Sequence, residues 1–151
     1  MKTILRLTLV AAILYLLPGC TKTYTHPENP LVGSWVLNDA AQGSSYGWHS
    51  FYTGLENGVF DFYSNGSAVY TDGQLTMRGS WYVQTVSGGY YDEYGNYYTD
   101  VHDELQLQLT DPYTGSSIHL YFNDVNMGGG RFTGTYYDGN YVVRYRFSRY
   151  Y

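Results

Sequence analysis

The chain has 151 residues and one cysteine, Cys20, so no disulfide can form within it and its fold must rest on packing and strand pairing. Charged residues make up 14% and aromatics 19%, with 20 Tyr and 18 Gly. This is a β-sheet composition; a helical bundle would want Ala, Glu, Lys and Leu, and the net charge of −5 argues against nucleic acid as a partner.

Lys2 and Arg6 form a short basic segment, and Leu7 to Leu17 is apolar but too short to span a bilayer. Leu17-Pro18-Gly19-Cys20 follows. These four residues resemble the bacterial lipobox, with Leu at −3, a small residue at −1 and Cys at +1. The resemblance implies a diacylglycerol on the Cys20 thiol, cleavage before Cys20, and a fatty acyl chain such as palmitate on the new amine. Two or three chains hold a protein firmly to a bilayer where one does not. Residues 1–19 are therefore expected to be a signal peptide, 20–30 a lipidated tether and 31–151 one folded domain. Loss of Lys2 and Arg6 would leave the mature chain near −7. By the same resemblance, Thr21 in place of Asp favours the outer membrane. The absence of an acidic run in Thr21–Tyr24 favours a periplasm-facing protein.

From Gly33 onward, short alternating runs are separated by Gly, Asn and Asp. Gly33–Leu37 opens the series, with Trp35 and Leu37 on one face. Val59–Tyr63 turns at Ser64-Asn65-Gly66, and a return strand around Val69 turns again at Thr71-Asp72-Gly73. Leu75, Met77, Gly79, Trp81 and Val83 share one face of a long strand. Leu105, Leu107 and Leu109 share another, followed by Ile118, Leu120 and Phe122. Phe132–Tyr137 and Tyr141–Ser148 are joined through Asp138-Gly139-Asn140. Asp39–Asn57 is Gly/Ser-rich and reads as a loop. Ser87–Asp100 reads as an extended hairpin with its tip near Tyr94-Gly95-Asn96. The pattern predicts an all-β fold of about eight antiparallel strands, as an up-and-down barrel or, alternatively, a β-sandwich.

Gly33-Ser34-Trp35 resembles the Gly-x-Trp of the first strand in lipocalins and their calycin relatives. The layout of lipobox, tether, Gly-x-Trp, Phe60-x-Phe62 and a second Gly-x-Trp at Gly79-Ser80-Trp81 is similar to lipocalin-like lipoproteins of Bacteroidetes. The resemblance implies a barrel whose first-strand Trp is crossed by a basic residue of the last strand. Arg144, Arg146 and Arg149 are candidates, with Gly33 and Trp35 as the barrel-closing motif. Thr110-Asp111-Pro112-Tyr113 departs from the family's Thr-Asp-Tyr loop.

Two functional readings follow. In the first, the barrel binds a small apolar or amphipathic ligand, with Trp48, Phe51 and Tyr52 as a lid. In the second, the barrel is filled by its own side chains, and Tyr90, Tyr91, Tyr94, Tyr97 and Tyr98 form a contact surface for an envelope protein or glycan. No nucleophile with its base is nominated, so no enzyme is expected. No cofactor or metal is expected either. His26, His49, His102 and His119 lack metal spacing, and Asp92, Glu93, Asn96 and Asp100 lack the calcium-loop pattern.

Overall fold

Leu105, Leu107 and Leu109 are all buried while Gln106 and Gln108 are not, the signature of a strand with one wet face. The computed structural model describes residues 29–91, 94–137 and 141–151. The expected signal peptide, lipobox, Cys20 and most of the tether lie outside the described residues, as do Asp92, Glu93 and the turn at 138–140.

Among the described residues, ten strands run in chain order: β1 (Gly33–Ser44), β2 (Gly47–Phe51), β3 (Val59–Phe62), β4 (Ser67–Thr71), β5 (Thr76–Tyr91), β6 (Tyr97–Thr110), β7 (Ser117–Phe122), β8 (Asp124–Gly128), β9 (Arg131–Tyr137) and β10 (Val142–Arg149). All pairings are antiparallel, in the order β7-β6-β5-β4-β3-β1-β10-β9-β8, with β2 also on β1. No helix occurs among the described residues, and none there is long and apolar enough to cross a membrane.

Two elements escaped the sequence reading. The Asp39–Asn57 segment is not a loop. β1 continues to Ser44 and returns as β2, pairing Ala40 with Phe51 and Gly43 with Trp48. Its small and polar residues hide the period of two. A bulge at Asn38 also flips the alternation partway along β1, from inward Trp35 and Leu37 to inward Ala40. The second element is β8, which follows β7 after the single residue Asn123. Asn123 Oδ1 accepts a 2.8 Å hydrogen bond from the Tyr137 backbone N–H, pinning this corner to β9. β7 pairs with β6 and β8 with β9; no ladder joins β7 to β8 among the described residues.

The concave face is filled with rings. Phe132 stacks on Phe147 at 4.2 Å and meets Trp35 edge-on at 4.8 Å, and Phe62 meets Trp81 edge-on at 5.3 Å. Phe122 lies so close to Gly134 that any Cβ there would overlap its ring. Each buried Phe contributes roughly 1.5–3 kcal/mol relative to exposure, so these rings are the main source of stability in a chain without a disulfide.

One end of this core is covered by Arg149. Its guanidinium lies 4.2 Å over the Trp35 ring. Its two terminal nitrogens donate to Val32 O at 2.7 Å and Pro30 O at 2.6 Å, while Trp35 Nε1 donates to Leu31 O at 2.7 Å. Of the three candidate arginines, Arg149 is therefore the one over Trp35. Arg144 lies over Trp48, and Arg146 pairs with Asp39 at 2.9 Å. Gly33 is required beneath Arg149: its φ is 125°, and a Cβ would overlap Nη1.

Replacing Arg149 by Lys keeps the charge but loses the planar overlap and one of the two carbonyl bonds. The expected loss is about 1–2 kcal/mol in urea unfolding. Gly33→Ala is expected to cost more, because positive-φ strain adds to displacement of the guanidinium. A loss below about 0.5 kcal/mol in both variants would show that this end does not hold the fold together.

Candidate functional site

The three residues expected to form a lid do not share a surface. Trp48 pairs with Gly43, and its ring lies on that glycine's Cα at the distance a Cβ would just tolerate. Arg144 sits 4.2 Å above the ring on the outer face of the sheet. Phe51, three residues on, points to the opposite, concave side and meets Tyr145 edge-on at 6.2 Å. Tyr52 follows the strand, is largely exposed, and accepts a 3.1 Å hydrogen bond from Asn57 Nδ2. An odd spacing along a strand places side chains on opposite faces, so Trp48 cannot close the same pocket as Phe51.

Residues 53–58 cover the end of the core opposite Arg149. Thr53 Oγ1 accepts from Leu55 N at 3.1 Å, a side-chain turn two residues long, and Glu56 Oε1 reaches back to accept from Thr53 N at 2.8 Å. Burial works to raise the Glu56 carboxyl, but hydrogen bonds from Thr53 and neighbouring backbone outweigh it and hold the group below its ordinary value. Its second oxygen, Oε2, is buried with no hydrogen-bond partner, as is the Tyr70 hydroxyl. Tyr70 is 1% exposed, and its ring and hydroxyl press on the backbone of Gly58, where a Cβ would overlap them. Burial, reinforced by Asp72, Tyr52 and Glu56, pushes the Tyr70 phenol up to about 12. Burial and Glu56 also raise Tyr145. Phe51, Tyr52, Glu56, Tyr70 and Tyr145 thus gather at this end of the core. The sequence pattern nominates Phe51 and Tyr52 but not the other three: Tyr145 reads as one more position of an alternating strand, and nothing local marks Glu56 or Tyr70.

The tyrosine-rich segment forms a long hairpin. β5 and β6 pair from Arg78–Thr110 out to Tyr91–Tyr97. β4 accompanies β5 only from Thr76 to Ser80, and β7 accompanies β6 only from Leu105 to Thr110. Eight cross-strand pairs, from Gln84–Glu104 to Tyr91–Tyr97, therefore extend past both ladders, an arm about 27 Å long at 3.4 Å per residue. It leaves the sheet at the end where β1 begins, since Gly33 aligns with Phe62, Phe62 with Ala68 and Ala68 with Gly79. Tyr91, Tyr97 and Tyr98 are exposed, and Tyr94 at the tip is 82% exposed. Tyr91 and Tyr97 lie 5.1 Å apart, the latter against Gly89. Tyr90 belongs to β5, opposite Tyr98.

An open depression of about 260 Å³ lies between β7 and the β9–β10 pair, lined by Leu120, Phe122, Tyr136, Tyr141, Val143 and Tyr145 among others. No group of three His, Cys, Asp or Glu able to hold a metal occurs among the described residues. Asp111 is instead a turn carboxylate, accepting from Thr114 Oγ1 at 2.5 Å and from the Tyr113 backbone N–H at 2.9 Å. No family model, curated protein or solved structure matches the chain.

Tyr70→Phe removes a buried hydroxyl that has no partner. It is expected to leave stability unchanged or raise it by up to about 1 kcal/mol at pH 7. Because the folded phenol ionises near pH 12 and the unfolded one near 10, this group's contribution is full below pH 10 and is lost as pH rises toward 12. The Phe variant should therefore keep more of its stability across that window in an alkaline unfolding series. A loss of more than about 1 kcal/mol at pH 7 would show that the hydroxyl has a partner in solution.

Proposed function

We propose that this chain is a lipid-anchored envelope lipoprotein of lipocalin-like build, whose filled β-barrel presents the β5–β6 arm to a protein or glycan partner. The observation that carries this reading is the arm. A two-stranded hairpin standing alone is marginally stable in water, yet this one extends eight pairs past the β4 and β7 ladders; its base leans on β8 and on Tyr121, and its outer part is rich in exposed tyrosine. Tyrosine offers large, rigid contact area with a polar tip. The packed rings of the interior leave the arm as a projecting surface, and the proposal assigns no catalytic residue and no cofactor.

Two features support the barrel. β7 and β8 run in the same direction with only Asn123 between them, so they act as one bent strand that passes from β6 to β9. Counting them as one, and setting aside β2, gives eight staves. The first strand also pairs with the last, with Arg149 across Trp35, as expected of a lipocalin-like chain. A sandwich folded at the Asn123 corner would use the same ladders.

A second reading, a small ligand held at the end of the core by residues 53–58, is favoured by the unpartnered Glu56 Oε2 and Tyr70 hydroxyl beside Phe51 and Tyr52. Under that reading Tyr70→Phe costs ligand affinity.

Cys20→Ser is expected to abolish incorporation of labelled palmitate and to leave the chain larger by its uncleaved leader; palmitate retained on the variant would refute lipidation at Cys20. For the arm, a photo-crosslinking amino acid is placed at Tyr94 or, as control, at Tyr113, which is 95% exposed at the opposite end. Adducts formed in intact cells from position 94 and not from 113 are expected. Equal adducts from both, or none from 94, would sink the arm as the contact surface.

A further inference from the structure

We propose that the β5 edge of the arm, from Val83 to Gly89, takes up a cationic extended segment of a partner protein as an added strand. The inference rests on the arm being the contact surface. β4 leaves β5 at Ser80, Trp81 N still donates to Gly66 O at 2.9 Å, and beyond it no ladder continues along that edge among the described residues. An edge strand presents a row of outward N–H and C=O groups, and proteins usually blunt it with Lys, Pro, a bulge or brevity. Residues 83–89 read Val-Gln-Thr-Val-Ser-Gly-Gly, with no Lys and no Pro, and their register with β6 is unbroken. A strand left ready to pair in this way recognises another main chain, which a glycan does not supply.

Charge selects which main chain. No Lys or Arg occurs from residue 79 to residue 130. On β6, Thr85 Oγ1 donates to Asp103 and Gln84 Nε2 to Glu104, each at 2.7 Å, and Glu104 also bonds the Tyr121 hydroxyl, so the partners are neutral groups. Their negative charge is thus uncompensated by any cation of the arm. A strand added to β5 would lie two strand spacings from β6, about 10 Å. Long Lys or Arg side chains can bridge much of that distance, and the interaction falls within a Debye length at physiological salt. A second copy of this arm would bring the same carboxylates and be repelled, so a cationic partner is favoured over self-association.

The probe is an eight-residue peptide alternating lysine with valine, labelled for fluorescence anisotropy and titrated against the full mature chain. Saturable binding is expected, at least tenfold weaker when glutamate replaces lysine and when alternate peptide nitrogens are methylated. Asp103→Asn with Glu104→Gln should weaken binding several-fold without changing the circular dichroism of the domain. Equal binding of the lysine and glutamate peptides, or indifference to N-methylation, overturns the proposal. Concentration-dependent dimerisation blocked by Tyr94 crosslinking overturns it in favour of a second copy. If the peptide fails while position 94 still traps a partner in cells, the cationic strand is wrong and the arm reading stands. If both fail, the arm reading falls as well.

Discussion

Pairing of the first strand with the last is the constraint on which the rest depends. β1 and β10 align from Trp35–Arg149 to Gly43–Val142, bringing together residues 99 to 114 positions apart. With no disulfide to hold the ends, this ladder and the ring stack beneath it must join them. Loop closure over such a separation is costly before any contact rewards it. The Arg149 clamp sits where the ladder begins, reaching past β1 to the Pro30 and Val32 carbonyls. It satisfies backbone acceptors and shields an indole face. The glycine below it is the space that lets these happen together.

Because rings fill the concave side, chemistry is displaced to the periphery. At one end, residues 53–58 fold a small turn over Tyr70 and leave a carboxylate oxygen and a phenol without donors or acceptors. At the other, the arm carries backbone and tyrosine far from the core that stabilises it. Both are places where the fold spends stability without evident structural return, which is a common mark of function.

Most of the strand pattern was legible because one face of each strand is apolar. Leu105–Leu109 and Met77–Trp81 show the period of two openly, and Asn65-Gly66 announces its turn through the positive φ that Gly66 adopts. The β1–β2 hairpin was hidden because Ala40, Ala41, Gln42 and Gly43 carry little hydrophobic contrast, and because the Asn38 bulge breaks the phase. β8 was hidden for another reason: its pairing depends on where β9 lies, which no local pattern records. Spacing left three arginines equal as partners for Trp35, and only register with β1 separates them. The grouping of Trp48 with Phe51 and Tyr52 assumed a flexible loop; a strand there forces the first two apart. The Tyr90–Tyr98 hairpin was foreseen as a turn with its tip near Gly95, but its projection beyond its neighbours emerges only from the ends of the β4 and β7 ladders.

The arm and the chain's N-terminal approach share one end of the sheet, and this gives an anchored molecule a definite standoff. Residues 20–30 can span at most about 35–40 Å when fully extended, only modestly more than the arm's length of about 27 Å. In the lipid-anchored form proposed above, the arm would hang toward the bilayer with little clearance, while Glu56 and Tyr70 would face away. Under that proposal, whatever the arm grips would lie close to the membrane surface or be embedded in it with a short exposed segment. The tether's length would act as a gauge, admitting partners of low profile and excluding those that rise far from the lipid surface.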